Sequence, residues 1–139
     1  MGEMGFEELQ HAADWAVRVW APTMESLFVE SAKAMYALSG IKKSTGGRVI
    51  QTANGWGPDM ESLLVSFLSE LIFRFERDRL AFDAMRIRLT PEAGGHKYEA
   101  RLDGQPSILM NKAIKAVTYH NLKILRTGDG YEVEIVFDV

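Results

Sequence analysis

The chain has 139 residues, of which 47% are hydrophobic and 25% charged, enough for one domain with one core and the composition of an ordinary globular protein. Sixteen Lys and Arg against nineteen Asp and Glu give a formal charge of -3, so the molecule as a whole carries no footprint for non-specific nucleic-acid binding, although a local basic patch is compatible with that balance. The absence of cysteine excludes disulfide scaffolds, Cys-ligated zinc or iron-sulfur centres and thiol nucleophiles.

The first ten residues carry Glu3, Glu7 and Glu8 and no signal-like apolar core, and no later segment approaches about 18 uninterrupted apolar residues. A cytoplasmic protein with no membrane partner is expected. Residues 15–20 alternate, with Trp15, Val17 and Val19 on one side and Arg18 on the other, which predicts a half-buried strand. Met24, Leu27, Phe28, Ser31, Met35 and Leu38 then recur at helical spacing, with Thr23 as N-cap and Gly40 as stop. After a polar stretch, residues 48–53 read as a strand, and Asn54-Gly55 and Gly57-Pro58 read as turns on either side of Trp56.

Asp59 caps a second, longer helix whose apolar face runs through Leu63, Leu64, Phe67, Leu68, Leu71, Ile72 and Phe75, wide enough to lie against a sheet. Its end carries Arg74, Arg77 and Arg79, complementing the negative pole of the helix dipole. Met85, Ile87 and Leu89, then Tyr98, Ala100 and Leu102, alternate with charged residues on either side of residues 91–95 and predict a hairpin that ends at Asp103-Gly-Gln-Pro106. Residues 107–112 show no period and are expected to form a loop or a short helical turn. Residues 114–126 are β-branched enough for a strand with a bulge near His120, and residues 131–137 alternate as a last strand after the turn at Gly128-Asp-Gly130. The expected fold is α+β: a single domain, residues 1–139, with a mixed, mostly antiparallel sheet of about six strands packed with two helices.

Phosphate-loop, dinucleotide and nucleophile-elbow motifs are missing from the sequence, which argues against the common NTPase, dehydrogenase and hydrolase types. The three histidines, His11, His96 and His120, are too scattered for a short zinc motif, so any metal site would use oxygen ligands and favour a hard cation. Asp14 stands at the start of the first predicted strand and Asp138 at the end of the last. If those strands are antiparallel neighbours, both carboxylates and that of Val139 share one edge of the sheet, and Lys115 or a divalent cation would have to balance their repulsion. The plainer alternative is that Asp14 is a local cap, Asp138 a solvated residue at a frayed end, Lys115 a solvated lysine, Glu70 a solvent-face residue and His120 a half-buried histidine bonded to backbone.

Five ordered segments, Phe6-Glu-Glu-Leu-Gln-His-Ala-Ala-Asp14, the helix 24–38, Asp59-Met-Glu-Ser-Leu-Leu-Val-Ser-Phe-Leu-Ser-Glu-Leu71, Ile114-Lys-Ala-Val-Thr-Tyr-His120 and Val136-Phe-Asp-Val139, together resemble the archease family over the full chain. The resemblance implies an accessory protein, not itself an enzyme, that activates the GTP-dependent tRNA-splicing RNA ligase and meets tRNA only through that ligase. It also implies a divalent cation, calcium foremost with magnesium or manganese as alternatives, held by Asp14, Asp138 and the terminal carboxylate of Val139, with Lys115, His120 and His11 serving activation of the partner. The sequence departs from the family pattern in reading His11-Ala-Ala-Asp14 for the usual His-Thr-Ala-Asp, and in the apolar Ile108-Leu-Met110 before the lysine motif. Two competing functions stand beside this reading: a metal-dependent hydrolase or nuclease in which Asp14, Asp138 and His120 would bind a catalytic metal and a water, and a general chaperone or RNA-binding factor.

Overall fold

Strict alternation of apolar and charged residues produces most of the architecture seen in the computed structural model, which describes residues 2–10, 15–43, 46–109, 111–119 and 121–139 and, among these, not the side chains of Gln10, Lys42, Lys43, Ile108 and Leu109. The described residues form nine strands and two helices: β1 (Gly5–Gln10), β2 (Trp15–Ala21), α1 (Met24–Ser39), β3 (Lys42–Lys43), β4 (Val49–Gly57), α2 (Met60–Asp78), β5 (Leu80–Glu92), β6 (Gly95–Leu109), β7 (Ala116–Val117), β8 (Ile124–Arg126) and β9 (Tyr131–Asp138). The α+β class with two helices and antiparallel strands is as expected; the strands divide into two sheets. One runs β1-β2-β9-β7 with β8 also on β9, and the other is built on β6, which pairs with β3, β4 and β5. Every pairing is antiparallel.

Both helices start where the sequence places them. Thr23 accepts from the Ser26 backbone N–H while Ser26 bonds back to the Thr23 N–H, a reciprocal cap. Asp59 accepts from the Ser62 N–H at 2.7 Å, and the Ser62 hydrogen bonds hold its carboxyl below the usual carboxylate range. α1 closes on Gly40 with φ 68°, whereas α2 closes on Arg79 with φ 57°, a left-handed conformation that a non-glycine residue seldom adopts. The helices pack on one face of the β6 sheet, and α1 also packs on β2. The core closes around Phe28 stacked on Phe67 at 6.0 Å and Phe67 edge-on to Tyr98 at 5.3 Å. Arg74, half-buried on α2, bonds Glu70, Gln51 and the Thr52 carbonyl, so it ties the helix to β4, and Glu70 serves as its partner.

Four expectations need correction. The Asn54-Gly55 turn is the interior of β4, which runs on to Gly57. Asp103-Gly-Gln-Pro106 does not end the hairpin, because β6 continues through it, and the expected loop or helical turn at 107–112 begins as its last strand residues. The long strand over 114–126 is two short strands, β7 and β8, and the described residues between them include a turn in which the Leu122 N–H donates to the Tyr119 carbonyl. β1, absent from the sequence reading, pairs with β2 along all six of its residues.

Candidate functional site at the end of β9

The condition set by the sequence is met: β2 and β9 are antiparallel neighbours, with Trp15 opposite Phe137. The N-terminal end of β2 therefore lies beside the C-terminal end of β9. On the other flank, β7 pairs Ala116 with Asp138 and Val117 with Phe137. The Lys115 N–H donates to the Asp138 carbonyl at 2.8 Å, and the Thr118 N–H donates to the Val136 carbonyl at 3.0 Å. The end of β9 is thus held on both sides by backbone hydrogen bonds, which is more order than a terminal segment usually has.

Lys115, Asp138 and Val139 are brought together by this arrangement. Asp138 is exposed, and among the described residues its carboxylate has neither an ion pair nor a side-chain hydrogen bond. Val139 is half-buried and packs against the core. Lys115 is exposed and lines a cavity of about 380 Å³ together with Tyr36, Phe75, Glu76, Arg79 and Ile114. Asp14, His11 and His120 lie outside the described residues, as does Met110. Among the described residues no three His, Asp or Glu side chains gather at one point.

One feature of this end was not read from the sequence. Lys112, whose N–H donates to the Ser39 carbonyl at 3.1 Å, sets its Nζ over the Trp15 indole, 2.9 Å from the ring centroid. This cation-π contact fastens the segment leading into Lys115 against the start of β2. Lys112 carries no motif and lies far from Trp15 along the chain, so only the folded register could reveal it.

The chemistry available here is acidic oxygen flanked by lysine. An exposed carboxylate without a side-chain partner among the described residues, at the held end of β9, offers the hard oxygen chemistry that divalent cations take. Among the described residues, no helix is long and apolar enough to cross a membrane.

Comparison with known proteins agrees with the motifs. The family model described as "Archease protein family (MTH1598/TM1083)" matches residues 6–139. The chain is 33% identical to Protein archease of Methanosarcina barkeri over 144 residues, covering 96% of this chain and 95% of the relative. It is 34% identical to Protein archease of Methanopyrus kandleri over 140 residues, covering 98% and 100%. The solution structure of Methanobacterium thermoautotrophicum protein 1598 shares the fold with a TM-score of 0.69 at 21% identity, covering 97% of this chain and 99% of that one. The crystal structure of a Thermotoga maritima archease does so with a TM-score of 0.61 at 24% identity, covering 96% of each. With five motifs in order, the same fold and full-length relatives, this chain belongs to the archease family.

Proposed function

We propose that the protein is an accessory factor that activates a GTP-dependent tRNA-splicing RNA ligase, promoting guanylylation of the ligase's own histidine without catalysing ligation itself. The observation that most supports this reading is the backbone hydrogen bond from the Lys115 N–H to the Asp138 carbonyl at the held end of β9, which brings close two of the positions that the family resemblance singles out. In this reading Asp14, Asp138 and the terminal carboxylate of Val139 hold a divalent cation, calcium foremost. The donors are all carboxylate oxygens, and the Asp138 carboxylate is exposed, so the residues present fit such an ion.

A bound divalent cation would offset most of the repulsion among three carboxylates and, since calcium takes about 6–8 oxygen ligands, would keep positions for oxygens of the partner. The chain's own part is to present these groups at one tip. β2 and β7 fix the end of β9, and the contact of Lys112 with Trp15 anchors the loop that carries Lys115. Lys115 supplies a flexible point charge able to meet an anionic group of the ligase or its nucleotide.

The test is guanylylation of a cognate ligase, at limiting ligase, with the native protein and with Asp14→Ala, Lys115→Ala and Asp138→Ala. Each variant is expected to fold and to fail as an activator. Calorimetric titration with calcium or manganese, on the native chain and on one lengthened by two residues beyond Val139, tests the terminal ligand; equal affinities would remove Val139 from the site. Normal activation by all three variants would move the working surface away from this tip.

A further inference from the structure

The face of the β4-β6-β5 sheet turned away from the helices forms four cross-strand rows. In chain-register order they are Ile50-Asp103-Ala84, Thr52-Arg101-Arg86, Asn54-Glu99-Arg88 and Trp56-Lys97-Thr90. Thr52, Asn54, Arg86, Arg88, Glu99 and Arg101 are all exposed. An outward face of an antiparallel sheet is ordinarily charged, with opposite signs placed across from each other. The third row obeys this rule, Arg88 meeting Glu99 at 3.2 Å. At the edge of the first row, Arg48 takes Asp103 at 2.9 Å and also pairs with Asp83.

The second row breaks the rule. Arg86 stands directly opposite Arg101, and among the described residues neither has an acidic partner. Like charges directly opposite each other on paired strands oppose folding, and solubility alone would be served equally by Arg opposite Glu. A hollow of about 270 Å³ lies at this pair, lined also by Ala84, Met85 and Asp103. Over the last three rows four cations, Arg86, Arg88, Lys97 and Arg101, face the carboxylate of Glu99, and the hollow of about 680 Å³ along Arg86, Arg88 and Arg101 adds one further acidic residue, Glu25, a local surplus of cations although the whole chain carries -3.

Trp56 closes the array. Its Nε1–H donates to the Glu92 carbonyl at 2.8 Å while the residue remains 48% exposed. The indole is held in one orientation with its only polar group spent, so what it offers a partner is ring surface. We propose that this face binds an extended single strand of nucleic acid, with phosphates at Arg86, Arg101 and Lys97 and a base stacked on Trp56. Arg101 and Lys97 stand four residues apart on β6, about 13–14 Å at about 3.4 Å per residue, a span comparable to two phosphate steps on an extended strand. Thr52 and Asn54 add hydrogen-bonding groups between the cations. An acidic peptide could neutralise the arginines, but it would leave an anchored, outward-facing indole without a role, whereas every base has a π-face to set on it. Charges beyond about 8–10 Å are screened at physiological salt, so the local surplus, not the net charge, governs contact. This surface is separate from the end of β9 and does not depend on the reading given to that end.

The experiment is fluorescence anisotropy of a labelled twelve-nucleotide oligouridylate titrated with the full chain at several salt concentrations. Binding that weakens steeply with salt is expected. Arg86→Gln with Arg101→Gln should weaken it by about tenfold or more and reduce the slope of log K against log salt by about 1.4, the loss of two phosphate contacts on a single strand. The paired change Arg86→Lys with Arg101→Lys should keep the slope. Trp56→Leu should weaken binding with the slope unchanged. The double glutamine variant should melt no lower than the parent, because it removes a like-charge pair. Binding of oligothymidylate with the same variant dependence supports the inference. Absence of binding at low salt, equal binding by the double glutamine variant, or equal affinity for duplex RNA would overturn it. Displacement of the oligonucleotide by an equal concentration of oligoglutamate would overturn it in favour of an acidic peptide.

Discussion

Asp138 has its carbonyl committed to the Lys115 N–H and its carboxylate exposed, so replacing the side chain should leave the strand intact and change only what the tip can hold. Removing a carboxylate from an acidic cluster relieves repulsion when no cation is present. Asp138→Ala is therefore expected to melt at or slightly above the parent in chelator. In calcium the order reverses, since a ligand binding only the folded state stabilises the parent by about 2.7 kcal/mol at a hundred times its dissociation constant. Differential scanning calorimetry of both proteins with and without calcium checks the crossover; parallel behaviour in both buffers would mean that Asp138 does not ligate. The residue identities at this tip, Lys115, Asp138 and Val139, were legible because motifs are local in sequence. The Lys112 contact with Trp15 was not, because no local pattern marks a cation that will stand over a ring from another strand.

The two-residue connection between β5 and β6 runs through Ala93 with φ 47° and Gly94 with φ 78°, and Glu92 pairs with Gly95. Both central residues have positive φ, the pattern of the tight hairpin turn that favours Asn-Gly. Ala93 is in a region that costs an ordinary L residue about 1–2 kcal/mol. Ala93→Asn should stabilise the protein by about 0.5–1 kcal/mol, raising the melting temperature by about 2–4 °C, as read from thermal or urea unfolding. β2, β9 and the core of the β5-β6 hairpin are visible in the sequence because apolar and charged residues alternate along most of each, although where β2 and β9 pair both faces become covered, Ala16 beside Val17 and Val136 beside Phe137. β4 and β6 run further than the sequence suggests because they contain glycines that imitate turns. A Cβ on Gly55 would lie 2.6 Å from the Tyr98 ring, and one on Gly104 would collide with the Ala81 carbonyl beside the bulge between Phe82 and Ala84. Both glycines are there because another part of the chain passes close by, and composition alone does not separate that need from a turn.

Across the whole molecule, two phenols are locked in the interior. Burial pushes Tyr98 up to about 12 and raises Tyr36 well above its ordinary value of 10.0. Because the unfolded chain releases these protons first, the stability they protect is complete below about pH 10 and is lost as the pH climbs through the folded-state values, at about 1.4 kcal/mol per unit for each tyrosine. Melting temperature should stay flat with respect to these groups from pH 7 to about 9.5 and then fall, and Tyr98→Phe should make the fall shallower. The fold class was legible at this scale from two amphipathic helices and a series of alternating segments. The division into two sheets was not, because it depends on which distant strands meet. The paired arginines were visible as residues, but their placement opposite each other follows only from the hairpin register. The same non-local pairing bears on how the protein is made. β9 sits inside its sheet, between β2 on one side and β7 and β8 on the other, so the β1-β2 ribbon, made well before β9, has no inner neighbour until Tyr131–Asp138 has been synthesised. Closing so long a loop is the kind of step by which topology slows folding; during translation α1, made directly after β2, can cover the face that carries Val17 and Val19, while the inner edge of β2 keeps its backbone N–H and C=O groups unpaired until β9 is made.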